Sequence, residues 1–106
     1  MDVIIQSLGF KASEHLQDYV REKLDNLTPA EGIIRANVVL FQGPESAATN
    51  DYCEIRLEVP GNDLFAKEHS AYFEQAIDET VSKLQGILRK NKEKAQDRRQ
   101  RGSNTK

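Results

Sequence analysis

Residues 83–102, KLQGILRKNKEKAQDRRQRG, carry Lys83, Arg89, Lys90, Lys92, Lys94, Arg98, Arg99 and Arg101 with gaps of six residues or fewer. Ammonium and guanidinium groups at this density suit the neutralisation of anions, phosphates above all. Each phosphate neutralised releases counterions and adds affinity that does not depend on base sequence. On a helix turning 100° per residue, Lys83, Lys90, Lys94 and Arg101 share one line, while Arg89, Lys92 and Arg99 lie on other sides. A helix end surrounded by cations repels itself unless anions are nearby. The helix dipole favours positive charge near a C-terminus by only about 0.3–1 kcal/mol, within the last turn. It does not account for cations spread over several turns.

Other constellations are weaker. His15, His69 and Cys53 lack any short paired spacing of the CxxC or HxxxH kind, so no metal or other cofactor is expected. A single cysteine forms no internal disulfide, and Cys53 reads as a small buried hydrophobe. Asp78 and Glu79 read as solvated helix charges rather than a catalytic pair. GxSxG, P-loop and GxGxxG patterns are absent, and neither an enzyme nor a small-molecule substrate is expected. Phe41, Tyr52, Phe65 and Tyr72 fit a core, the usual place for strand aromatics; on an open sheet face they would be free to stack on bases.

The elements that must position the cations follow from periodicity. VIIQSL has the β-branched character of a short strand. In SEHLQDYVREKLDNL, Leu16, Tyr19, Val20, Leu24 and Leu27 recur at helical spacing, with Ser13 suited to the N-cap and Pro29 ending the run. IIRANVVLF reads as a second strand and QGPESAATND as a turn-rich loop. YCEIRLEV alternates, with Cys53, Ile55, Leu57 and Val59 on one face and Glu54, Arg56 and Glu58 on the other. Pro60, Gly61 and Asn62 mark a hairpin, DLFAKEH returns as a fourth strand, and a long helix follows from about Ser70. Phe73, Ile77, Val81, Leu84 and Leu88 form its apolar stripe; beyond Leu88 the only apolar residue is Ala95, so the helix outruns its own core. The expected fold is α+β, ordered βαβββα: a four-stranded mixed sheet with two helices packed on one face. The first two strands are parallel through a right-handed crossover, and the short later loops favour antiparallel pairing.

At 106 residues the chain suits one domain, taken as residues 1–97, followed by a basic tail, 98–106, with nothing to bury and disorder as its expected state. The formal charge of −2 hides a split. Residues 1–81 hold 6 Lys/Arg against 15 Asp/Glu, net −9, and residues 82–106 hold 9 against 2, net +7. A polyanion-binding segment and a merely solvated face both fit that asymmetry. No run approaches the roughly 20 apolar residues of a membrane span, and the start MDVIIQSLGF lacks a signal-peptide pattern, so a soluble cytoplasmic protein is expected. A membrane surface is also a poor partner for the basic helix. Beyond Leu88 the helix has no Trp, Phe or Leu with which to enter the acyl boundary.

The chain resembles the ribosome hibernation-promoting factors and ribosome-associated inhibitors along nearly its whole length. The resemblance runs through VIIQS, SEHLQDYVREKLDNL, NVVL, VPGNDLFAKE and AIDETVSKLQGILRKNKEK. Its most specific part is AID, five residues before KL, leading into the basic LRKNKEK. It implies the same βαβββα fold and makes residues 1–97 a single ribosome-binding domain. The implied partner is the small ribosomal subunit with its ribosomal RNA. Occupancy of the decoding region would block messenger and transfer RNA and repress translation under stress or in stationary phase. Lys83, Lys90, Lys92 and Lys94 match basic positions of the family, as does Lys23 in the first helix. Arg89, Arg98, Arg99 and Arg101 rest on the charge pattern alone. Gly86 departs from the family, which has a longer polar or basic residue there, and costs roughly 1 kcal/mol of helix stability relative to Ala. Two other classes fit the residues themselves: a general double-stranded RNA-binding module without a ribosomal role, and a non-RNA module docking an acidic protein.

Overall fold

Alternation of apolar and polar residues builds four strands, β1 (Asp2–Leu8), β2 (Arg35–Gln42), β3 (Asp51–Glu58) and β4 (Leu64–Ser70), and amphipathic stretches build two helices, α1 (Glu14–Asp25) and α2 (Phe73–Asn104). The computed structural model describes the backbone of residues 1–29, 32–44 and 50–104, with side chains through Asn91. The order is the expected βαβββα.

The sheet runs β1-β2-β3-β4, with β1 parallel to β2 and the two later pairs antiparallel. Register aligns the apolar sets across the strands. Ile5 faces Val38, Val38 faces Ile55 and Ile55 faces Ala66; Ala36 faces Leu57 and Leu40 faces Cys53. These residues share the face covered by both helices. Leu16, Val20 and Leu24 of α1, with Leu27 just beyond its end, meet Ala76, Ile77, Val81, Leu84 and Leu88 of α2 in one core. Phe73 is only partly buried, its ring stacked on Phe10 at 4.9 Å. The stripe read from the sequence omitted Ala76 and Thr80, which are fully buried because α2 lies close over β3. The Thr80 hydroxyl sits 2.7 Å from the Ala76 carbonyl and 3.2 Å from that of Cys53, so the buried oxygen is satisfied.

Local chemistry fixes the ends. Ser13 caps α1, its side chain accepting from the Leu16 amide at 3.1 Å. The β3–β4 turn passes through Gly61 at φ +92°, a conformation that side-chain-bearing residues resist. α2 begins at Phe73 rather than near Ser70. Ser70 still pairs with Asp51 in the sheet, and its hydroxyl donates to Gln75 Oε1 at 2.7 Å. The backbone of α2 continues through Asn104. The disorder expected of residues 98–106 falls on side chains outside those described, and residues 105–106 lie outside the described residues altogether.

Candidate nucleic-acid interface

Four of the nine cationic side chains singled out from the sequence lie within the described region: Lys23, Lys83, Arg89 and Lys90. The side chains of Lys92, Lys94, Arg98, Arg99 and Arg101 lie outside it, although their backbone belongs to α2. α1 and α2 pack against each other, which brings Lys23 to the flank of α2 although it is 60 residues from Lys83 in the chain. Lys23 lines a shallow depression with Asn26, Asp78, Ser82 and Gln85. Lys83 lines an adjoining one with Glu68, Asp78, Glu79 and Ser82. Arg89 lines a third with Thr28, Pro29 and Gln85. Shared residues make the three continuous along α2. Lys90 is exposed two turns beyond Lys83, about 10 Å further along the axis.

The surface is held in shape by contacts across elements. The Tyr19 hydroxyl donates to Asp78 Oδ1 at 2.7 Å, and Lys23 Nζ lies 3.4 Å from the same oxygen and 5.3 Å from the centre of the Tyr19 ring. That hydrogen bond, followed by desolvation and the Asp78 charge, pushes the Tyr19 phenol up to about 12. The Gln85 amide donates to the Thr28 carbonyl at 2.6 Å, and its oxygen accepts from the Thr28 amide at 2.9 Å. α2 is thereby tied to the segment that follows α1. Lys83 Nζ donates to Glu68 Oε1 at 2.6 Å, joining α2 to β4.

Sequence reasoning missed the carboxylates. Asp78 read as a solvated charge, yet it receives both Tyr19 and Lys23. Glu68 shares the inner face of β4 with Leu64 and Ala66, and its placement opposite Cys53 turns it toward α2. The signal was the break in apolar alternation at that position; the partner could not be named without the fold.

The other sheet face is uncovered. It carries Ile4, Gln6, Asn37, Val39, Glu54, Arg56 and Phe65 around one concavity. Phe41, Tyr52 and Phe65 lie here rather than in the core. Phe41 and Tyr52 stack at 4.9 Å with rings 9° apart, His69 continues the row at 4.9 Å from Tyr52, and Lys67 Nζ sits 5.5 and 5.4 Å from the Phe41 and Tyr52 centres. Tyr72 is exposed after β4. The cations of this face are matched by carboxylates, in the pairs Arg35–Glu58, Arg56–Asp63 and Lys67–Glu54. Asn37 donates to Glu58 at 2.7 Å and, with Arg35, holds that carboxyl below its usual range. This face offers aromatic surface but little net attraction for phosphate.

Cys53 is buried, and burial pushes its thiol up to about 12, which leaves it without nucleophilic character. Among the described residues no group of three or more His, Cys, Asp or Glu is placed to hold a metal ion, and no helix is long and apolar enough to cross a membrane.

Residues 3–96 match the family model described as sigma 54 modulation protein / S30EA ribosomal protein. A ribosome hibernation promotion factor of Deinococcus radiodurans is 33% identical over 94 residues, 87% of this chain and 49% of that protein. The chain spans about half the length of that curated relative. A ribosomal subunit interface protein from Coxiella burnetii has the same fold, with a TM-score of 0.79 at 19% identity over 87% of this chain and 98% of that one. The N-terminal domain of Thermus thermophilus Protein Y gives a TM-score of 0.71 at 25% identity, covering 85% and 98% of the two chains.

Proposed function

The chain belongs to the sigma 54 modulation protein / S30EA ribosomal protein family, and on that premise we propose that it is a ribosome hibernation factor acting by occupancy. It binds ribosomal RNA in the decoding region of the small subunit, excludes messenger and transfer RNA, and represses translation under stress or in stationary phase. Its site of action is then the cytoplasm.

The family match over residues 3–96 carries this reading. The surface along α2 supports it with a physical means of binding. Lys23, Lys83, Arg89 and Lys90 stand on or beside one helix, and Lys92, Lys94, Arg98, Arg99 and Arg101 follow on the same helix backbone. A row of cations of this kind gains affinity from each phosphate it neutralises. Occupancy needs no bond to be made or broken, so it asks for no catalytic group and no cofactor.

The test is co-sedimentation of the protein with purified small subunits, beside a cell-free translation assay with transfer RNA as competitor. The expected result is binding that transfer RNA displaces, together with falling translation. Saturating protein that leaves transfer RNA binding and translation unchanged sinks the mechanism. Equal affinity for an unrelated RNA duplex and for the subunit would favour a general double-stranded RNA-binding module instead.

A further inference from the structure

Two of the lysines assigned to phosphate are already engaged. Lys83 Nζ is 2.6 Å from Glu68 Oε1 and Lys23 Nζ is 3.4 Å from Asp78 Oδ1. The two pairs are neighbours, since Asp78 and Ser82 line both the depression holding Lys23 and the one holding Lys83. The partners in each pair differ in freedom. Glu68 projects from a strand and its side chain is only 28% exposed. Asp78 is held by the Tyr19 hydroxyl at 2.7 Å, so it does not swing away when its lysine leaves. The lysine heads ride on flexible four-carbon stems and are the mobile partners.

From this arrangement we infer that Glu68 and Asp78 are specificity-determining residues of the phosphate-binding surface, screening Lys83 and Lys23 against polyanions in general. The inference rests on the reading of the α2 surface as a ribosomal RNA site. A phosphate reaching either ammonium from the side of the fixed carboxylate meets like-charge repulsion at close range. A regular duplex, which slides and offers phosphates in every register, finds that repulsion in many of them and gains little from these two lysines. A folded RNA that sets a phosphate on the far side of each ammonium shares the lysine with the carboxylate and keeps the attraction. Discrimination of this kind comes from a repulsive element added to an attractive one.

The experiment uses Glu68→Gln and Asp78→Asn, which keep shape and an acceptor oxygen while removing charge. Thermal melts establish that both variants are folded. Each variant and the wild type are titrated with an RNA duplex of unrelated sequence and with purified small subunits across a salt series. An exposed ion pair is worth little, so the expected gain on the duplex is roughly two- to fivefold per substitution. The salt slope on the duplex should steepen by roughly one for each lysine released. The change on the subunit should be smaller, so the preference for subunit over duplex falls because duplex binding has risen. Equal gains on both ligands, no change on either, or a fall confined to the subunit overturn the inference. The wild-type arm reports separately on the parent reading. No wild-type preference for subunits overturns both, whereas a preference that survives both substitutions overturns only the role given to Glu68 and Asp78.

Discussion

The hydroxyl of Tyr19 on α1 meets the carboxylate of Asp78 on α2 at 2.7 Å, across 59 residues of chain. This bond does three things at once. It joins the two helices at the edge of the core, fixes the carboxylate that faces Lys23, and removes the phenol from its ordinary acid–base behaviour.

The Tyr19 proton is therefore expected to leave only near pH 12, above the ordinary value of 10. Because the folded-state value is the higher one, the stabilisation from this bond is fully present below pH 10 and is lost as pH rises through 12. The check is phenolate absorbance of wild type minus Tyr19→Phe, with Asp78→Asn expected to bring the transition back toward 10. A Tyr19 transition already at its ordinary value in the folded wild type would show that the bond does not persist in solution. Tyr19→Phe should cost roughly 1 kcal/mol, the usual net value of one hydrogen bond.

Cys53 supplies a probe of core opening. Its thiol is buried and pushed up to about 12 by that burial, so at neutral pH it should react with an aromatic disulfide reagent only through unfolding. Folded-state reaction is expected to be slower than that of the denatured chain by about a thousandfold or more. Reaction at the denatured-chain rate under native conditions would place the thiol at the surface, contrary to the structure.

How far the sequence reaches can be judged from particular residues. The element order and the core set from Leu16 to Leu88 were legible because period-2 and period-3.6 patterns report directly on which face is buried, and the parallel β1–β2 pair because a helix connects the two strands. The start of α2 was less so. Ser70 is compatible with a helix by composition, and only its pairing with Asp51 keeps it in the sheet. Aromatics gave the wrong placement, since Phe41, Tyr52 and Phe65 look like core residues until register turns them to the uncovered face. Gly43 is silent in the sequence, yet a methyl group there would lie 2.6 Å from the Tyr52 ring. The basic helix was legible from charge alone, but the pairing of Lys83 with Glu68 and of Lys23 with Asp78 was not. Those contacts join residues 15 and 55 positions apart, and no local pattern encodes them.

Residues 98–106 contain no apolar side chain and so have nothing to contribute to the core. We expect their deletion to leave the melting temperature unchanged and to weaken ribosome binding through the loss of Arg98, Arg99 and Arg101. A large drop in melting temperature would show instead that this segment packs on the domain.

The line Lys83, Lys90 and Lys94 separates phosphate binding from mere solubility. All three sit on α2 away from the stripe of Ile77, Val81, Leu84 and Leu88, so replacing them with Gln should leave the core intact. Stability should move by no more than about 0.5 kcal/mol per exposed site, with Lys83 adding only the small worth of its surface pair to Glu68. Binding should move far more. Log affinity falls with log salt at about 0.7 to 0.9 per phosphate neutralised, so the triple variant should bind small subunits more weakly and with a slope flatter by roughly two to three. The measurement is a salt titration of subunit binding for wild type and triple variant, beside thermal melts of both. A weaker but equally salt-sensitive variant would point to a packing defect, and the melts would reveal it. Equal affinities with equal slopes would mean that this line is only a solvated face, and the cations near the end of the sequence would have to find their anion elsewhere.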